Sequence, residues 1–555
     1  MNTKVIELIE QACDALFDMH VPVEIEIPED QFGDLSTNVA MRLAGQLKRN
    51  PREVAQEIAT ELHKATEVFS DVGVAGPGFI NMRLHDAHLL NSLGKSDVNV
   101  YSDQKILVEY SDPNPFKPLH AGHLYTTLVG DSIARIVEYA GADTVRINYG
   151  GDVGLHVAKS MWAIIRHLGG ENPAALFDIP EAERAQWLGA RYVEGNSAYE
   201  DNELQKKEIV EVNKRVYGLH VSNDTESEFA QLYWTCREWS YEFFKNLYGD
   251  LQVQPFDRYI PESEVTPLGQ QTVIDQTEKG VYERSDQAVI FDGEKHGLHT
   301  RVFINSEGLP TYEAKDVGLS LTKWNDYQFD SSIIITANEQ AQYMQVVIES
   351  IRQFAPEPAD RTRHLTHGVV KLQGGVKMSS RLGNVVTADD IIAAAVEAGK
   401  TNGAEQYSVV LAAIKHAFLK NKIGSDIAYS PEDSIAMEGN SGPYLQYAHA
   451  RASSILRKSS THPKLEVDVL DQAERLFVKK MTEFQSVLEK AAQELAPSYI
   501  CAYIYELSQE FNRFYERSKV IGDEREALRI GLVKTYVDIL KTGLGLLGIH
   551  APEEM

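Results

Sequence analysis

Residues 105–150 read KILVEYSDPNPFKPLHAGHLYTTLVGDSIARIVEYAGADTVRINYG. KILVEY is short and apolar, as a buried strand is. LYTTLVGDSIARIVEYAG has helical spacing, with Leu124, Leu128, Val129, Ile133 and Ile136 on one face and Gly141 to end it. DTVRINYG is a second strand. Strand, helix, strand in this order predicts a β-α-β unit, and hence a parallel sheet with helices on both faces. Ligands of such sheets bind beyond the carboxyl ends of the strands, near helix N-termini. His120 and His123 fall at that place. Three apart on a helix, their imidazoles share a face and can donate to phosphate oxygens or to a developing pentacovalent phosphorus. Gly122 leaves room for a nucleotide close to the backbone. A two-histidine metal site is a rival, although no third ligand lies nearby. A pair of histidines that merely cap the helix is the plainer alternative, and this stretch alone does not choose.

The chain has 555 residues, which predicts two to four domains. It is 43 % hydrophobic and 24 % charged, an ordinary balance for a soluble globular protein. No apolar run reaches about 18 residues, so no transmembrane helix is expected. The opening MNTKVIELIEQACDALFDMH carries acidic residues within its apolar pattern and reads as an amphipathic helix, not a signal peptide. Cys13, Cys236 and Cys501 lie far apart, with neither a disulfide framework nor zinc spacing, and fit a reducing cytosol. The formal charge of −27 argues against a generic nucleic-acid binder. Residues 440–465, however, contain no Asp or Glu and hold Arg451, Arg457, Lys458 and Lys464 with Tyr444 and Tyr447. Cations interleaved with aromatics suit single-stranded nucleic acid, although a solvated helix face has the same composition.

Composition and pattern divide the chain. Residues 1–100 predict a small α+β unit, with a helix starting at Asn50-Pro51 and a strand in VAGPGFINMRL. The β-α-β pattern begins at about 104. Residues 171–285 are helix-rich and charged, and read as a helical insertion or connecting region. Strand signals return in QAVIFDG, TRVFINSEGLPTYE and SSIIIT. Beyond 400 no convincing strand is seen, which predicts an all-α region over 401–555.

A second stretch sharpens the first. HGVVKLQGGVKMSSRLGNVV, residues 367–386, holds a loop rich in Gly, Ser and cations. Mobile lysines beside small residues can close over a triphosphate and neutralise charge as pyrophosphate leaves. Together with His120 and His123 it resembles the paired "HIGH" and "KMSKS" signatures of class I aminoacyl-tRNA synthetases. Within that class the chain resembles the arginyl-tRNA synthetase family over nearly its full length. VEYSDPNPFKPLHAGHL is similar to that family's first signature, and LPTYEAKDVG to its amino-acid pocket. QFGDLSTNVAMRL, NPREVAQEIA and GPGFINMRL resemble its N-terminal extra domain. SGPYLQYAHAR and FNRFYERSKV, with the ending LLGIHAPEEM, resemble its helical anticodon-binding domain.

The resemblance implies a Rossmann-type catalytic domain over 104–400. An N-terminal domain touching the tRNA elbow and a C-terminal all-α anticodon-binding domain flank it. It implies a cytoplasmic, monomeric ligase that joins arginine to its tRNA with ATP and magnesium, with tRNA bound before the first step. His120, Gly122 and His123 would hold the ATP phosphates, covered by Lys377, Met378, Ser379 and Ser380. Glu109, Asn114, Tyr312, Asp316 and Gln345 would bind arginine. Phe32, Asn38, Tyr447 and Arg451 would touch tRNA. The second lysine of the loop signature is Ser380 here, and Lys117, just before the histidines, stands where a substitute cation is expected. His156 replaces an expected glutamine, and Gln340 an expected histidine. Two alternatives stay open. One is another class I synthetase, such as a cysteinyl enzyme, whose zinc site the scattered cysteines do not provide. The other is a non-catalytic tRNA-binding relative, although the histidines and Lys377 are retained.

Overall fold

The structure is a computed structural model that describes residues 2–94, 98–373, 386–401, 403 and 406–555. Near the N-terminus, β1 (Leu35–Thr37), β2 (Phe69–Ala75) and β3 (Phe79–Leu84) form an antiparallel sheet in the order β1-β3-β2. The helix Pro51–Leu62 starts as its sequence predicts. Asn50 accepts from the amide of Arg52 and Pro51 takes the first helical position.

The central sheet has five parallel strands: β4 (Lys105–Glu109), β5 (Asp143–Gly150), β6 (Arg258–Pro261), β10 (Ser331–Ala337) and β11 (Thr362–His367). Their order is β11-β10-β4-β5-β6. The chain runs outward from β4 to β6 and later returns to the other side of β4. The order therefore reverses between β4 and β10, and a crevice opens at their carboxyl ends. The helix after β4, Ala121–Tyr139, buries the five apolar residues expected of it. It lies close to the sheet because of Gly130, where a Cβ would stand 2.2 Å from the ring of Tyr110. This is the doubly wound α/β fold that the sequence predicts, flanked by the N-terminal antiparallel-sheet unit and a C-terminal helical region.

Three expectations need correction. Residues 171–285 are not one helical insertion. The helices Arg184–Asp201, Glu203–Ser222 and Glu228–Asp250 are followed by β6, an edge strand of the central sheet, and by Glu262–Glu278, which packs on Tyr312–Tyr327. Four residues ending in proline were too short to register as a strand. TRVFINSEGLPTYE is a strand only over Arg301–Ile304 (β9), which joins β7 (Glu283–Ser285) and β8 (Ala288–Phe291) in a small antiparallel sheet. Its last residues open the helix Tyr312–Tyr327. Beyond 400 there is one short strand among the described residues, β13 (Ile427–Tyr429), paired in parallel with β12 (Val370–Leu372). Three residues give no usable periodicity.

From Gly442 onward the described elements are helices, the longest Ser498–Arg517 and Glu526–Leu546. Arg475 fastens this region to the N-terminal unit. It donates to Asp34 Oδ2 at 2.7 Å and to the Leu84 carbonyl at 3.0 Å, and pairs with Asp86.

Candidate active site

A cavity of about 510 Å³ occupies the crevice at the ends of β4 and β10. One end is lined by His120, His123, Lys117 and His367. His120 is the N-cap of the helix Ala121–Tyr139, and its Nδ1 accepts from the amide of Gly122 at 3.1 Å. His123 Nδ1 accepts from the amide of His120 at 3.3 Å, which closes a capping box. The rings lie 3.8 Å apart. Burial, helped by Lys117 and His367, lowers His120 to about 4, and burial also holds His123 well below its ordinary value. Both rings are therefore neutral at pH 7. A neutral imidazole that accepts at Nδ1 carries its proton at Nε2. The cap thus fixes a tautomer in which each ring presents an N–H donor. Capping and donating to phosphate, rivals in the sequence, are compatible in the structure.

Lys117 is brought to the same end, 5.3 Å from the ring centre of Tyr192. Burial and the charge of Lys159 lower its ammonium from the ordinary range. Lys377, Met378, Ser379 and Ser380 lie outside the described residues.

Carboxylates crowd the other end. Glu109 Oε2 accepts from Lys323 Nζ at 2.6 Å, and Glu262 Oε2 from Lys315 Nζ at 2.6 Å, both in buried pairs. Asp316 differs. Its side chain accepts from the hydroxyl of Tyr343, and among the described residues no lysine or arginine pairs with it. Burial raises it to about 7, with Glu109 and Glu262 adding to the rise. Tyr312 and Asn114 complete this end. His156 Nε2 donates to the Gly151 carbonyl at 2.6 Å and leaves Nδ1 3.5 Å from the Tyr312 hydroxyl. Burial lowers this ring to about 3, so it is neutral too.

The cavity thus gathers Glu109, Asn114, Lys117, His120, Gly122, His123, Tyr312 and Asp316, all anticipated from sequence. Gln345 is not brought into the cavity wall. It is exposed on the helix Ala341–Arg352, while Tyr343 and Met344 line the cavity. Glu262, Lys315, Lys323, Tyr343 and His367 were not anticipated; Lys315 falls within LPTYEAKDVG and His367 opens the second stretch, while no quoted motif contains Glu262, Lys323 or Tyr343. Gln340 lines the cavity as well.

The nucleic-acid candidates lie elsewhere. Phe32 is 47 % exposed and Tyr447 46 %. Asn38 precedes the helix Val39–Leu47, and its buried Oδ1 has no hydrogen-bond partner among the described residues. Arg451 stacks 4.8 Å above the ring of Tyr515 and donates to Asn512 at 3.3 Å. The basic stretch is partly neutralised, since Arg457 pairs with Glu554 and Lys464 with Glu466. The three cysteines are buried, and burial raises their thiols.

Comparison with known proteins bears on this geometry. Residues 86–430 match the family model for tRNA synthetases class I (R), catalytic domain. Residues 445–555 match the DALR anticodon binding domain, and residues 3–84 the arginyl tRNA synthetase N terminal domain. An arginine–tRNA ligase of Bdellovibrio bacteriovorus is 30 % identical over 558 residues, 95 % of this chain and 93 % of that protein. One from Phocaeicola vulgatus is 28 % identical over 610 residues, covering all of both. The fold is that of Thermus thermophilus arginyl-tRNA synthetase, with a TM-score of 0.81 at 24 % identity over both full chains. The catalytic-domain model alone spans more than half of the chain, and the histidines and the acidic pocket both fall inside it: the chain belongs to the arginyl-tRNA synthetase family of class I.

Proposed function

We propose that this chain is an arginine–tRNA ligase, and that the cavity is where arginine meets ATP. The observation that carries the reading is Asp316, a carboxylate in the cavity wall with no cationic partner among the described residues, at the end away from the paired histidines. A guanidinium offers a planar fork of donors to such a carboxylate, and Tyr312 provides a wall beside it. Glu109 and Glu262 line the same end but are already neutralised by lysines, so they contribute shape and hydrogen-bond acceptors more than free charge. Asn114 lies where the α-amino end of arginine would sit.

At the other end, the Nε2–H donors of His120 and His123 hold phosphate oxygens and follow the charge that develops as the arginine carboxylate attacks the α-phosphorus of ATP. Pyrophosphate leaves, with Lys117 as the nearby cation. The 3′-terminal ribose of the tRNA then takes the arginyl group from the adenylate. Magnesium would arrive on the phosphates of ATP, as this small hard ion usually does. Lys377 to Ser380 act at the triphosphate on this reading.

The rest of the chain binds tRNA. Residues 1–100 reach the elbow with Phe32 and Asn38, and residues 401–555 reach the anticodon with Tyr447 and Arg451. The catalytic part spans 104–400. The enzyme works as a monomer in the cytoplasm. No helix among the described residues is long and apolar enough to cross a membrane. ATP–pyrophosphate exchange tests the reading, run with arginine, lysine and cysteine in turn, with and without tRNA. Exchange that needs arginine supports it. Exchange driven by another amino acid, or by none, overturns it.

A further inference from the structure

His367 ends β11 at the phosphate end of the cavity, 2 % exposed. Its Nδ1 lies 2.9 Å from the Gly368 carbonyl, which can only accept, so Nδ1 carries a proton. Its Nε2 lies 2.7 Å from Thr126 Oγ1. Burial keeps the ring neutral, so Nε2 is bare and accepts from the threonine. Thr126 stands one turn into the helix that His120 caps. Its Oγ1 also lies 2.9 Å from the carbonyl of Gly122, between the two histidines. A hydroxyl has one proton to give. The shorter contact takes it, and Thr126 is then tied to a strand outside its own helix. The His367 ring also rests against Tyr125, with centroids 4.6 Å apart.

We infer that His367 is a positioning residue: through Thr126 it anchors the first turn of the helix to the end of β11, and so aims the donors of His120 and His123. The inference rests on the proposed reading of those histidines as phosphate donors. Aim matters because such donors act over a narrow distance range, and small misplacements are costly in rate.

Pyrophosphate exchange with tRNA present, at saturating ATP, tests this on five proteins: the parent, His367→Asn, His367→Gln, Thr126→Val and the Asn/Val double variant. Glutamine can place an acceptor near the position of Nε2, whereas asparagine reaches only that of Nδ1. His367→Asn and Thr126→Val should each lower kcat roughly 5- to 30-fold, the effect of one buried hydrogen-bond partner, with arginine KM within about twofold. His367→Gln should keep most of kcat, and the double variant should be no worse than the weaker single. Equal damage from Gln and Asn, multiplying losses in the double variant, or a loss lodged in arginine KM would each overturn the inference. If His367→Asn does not fold, Thr126→Val against Thr126→Ser decides, since serine restores the hydroxyl. Exchange by the parent tests the earlier reading separately. A parent that activates a different amino acid overturns arginine as substrate, and the variants are then compared on that amino acid. A parent inactive with every amino acid overturns both.

Discussion

Asp316→Asn tests the acidic pocket directly. The change keeps size and shape and removes the charge. In the parent, the carboxylate accepts from Tyr343 and faces the cavity without a cationic partner among the described residues. Removing one member of a buried charge pair typically costs about 2–5 kcal/mol, so arginine KM should rise roughly 30- to several-thousand-fold. ATP KM should hardly move, because the histidines lie at the other end. The raised value of Asp316, about 7, adds a second signature. With no arginine bound, Asp316 is about half ionised near pH 7 and only about a tenth ionised at pH 6. Arginine needs the ionised form, so parent KM should rise about fivefold from pH 7 to pH 6 and improve no more than about twofold above pH 7. In the variant this dependence should vanish. The sign for stability is opposite. The folded value lies above the ordinary one, so the folded state holds the proton more tightly, and stability falls as pH rises from about 4 to 7. Free of arginine, the variant should therefore melt above the parent at pH 8 and close to it at pH 4. Steady-state aminoacylation across an arginine series, with melting curves at both pH values, reads all of this. An arginine KM within about twofold of the parent would place Asp316 outside the guanidinium site, and a variant that kept the parental pH dependence would assign that dependence to another group.

His120→Ala or His123→Ala should lower adenylation roughly 10²- to 10³-fold with arginine KM nearly unchanged, the pattern for losing a transition-state donor; a large KM rise at constant kcat in the same exchange assay would contradict the placement. Lys117→Ala should be severe in the parent and milder in a Ser380→Lys background, because two cations serving one pyrophosphate couple; strictly additive losses in kcat would end the idea that Lys117 substitutes for the missing lysine. Tyr447→Ala should weaken tRNA binding by about 1–3 kcal/mol, the value of one stacking surface, and leave ATP binding alone; filter binding at several salt concentrations checks it, and unchanged affinity would leave Tyr447 a residue of the helix surface.

The sequence made legible what local chemistry specifies. The central strand–helix–strand unit follows from hydrophobic spacing, and the Asn50-Pro51 helix start from capping preference. Short strands were missed because β6 and β13, of four and three residues, give no period to detect. The acidic pocket was half legible. Glu109 and Asp316 were anticipated through a family likeness, but their standing was not. Lys323, which neutralises Glu109, lies 214 residues away, and the Glu262–Lys315 pair spans 53. Nothing in a single chain's local pattern records such pairings, and they decide which carboxylate is left for a substrate. Gln345 stands off the cavity for a geometric reason. Successive helical residues are turned by about 100°, so once Tyr343 and Met344 face the cavity, position 345 is carried away from it.

The His-Ala-Gly-His pattern can be understood as one solution to two demands. A helix start needs side chains that accept from its first amides, and serine, threonine, aspartate or asparagine usually supply them. A phosphate site needs donors and is harmed by a fixed negative charge. Aspartate would serve the cap and repel the phosphate. Serine would serve the cap with an oxygen too close to the backbone to reach far into the cavity. Imidazole separates the two tasks across its ring: Nδ1 accepts from the backbone, and the proton is thereby left on Nε2, on the far side. The spacing follows. The second histidine must be the third residue of the helix to accept from the amide of the first. The second of the two residues between them must be small, because the ring of His120 folds back over it. A Cβ on Gly122 would lie 2.8 Å from Cε1 and 2.9 Å from Nδ1 of that ring, closer than real contacts allow. Glycine at 122 therefore does more than leave space for a nucleotide. It lets the imidazole reach the amide that fixes its tautomer, and with it the direction in which the ring donates.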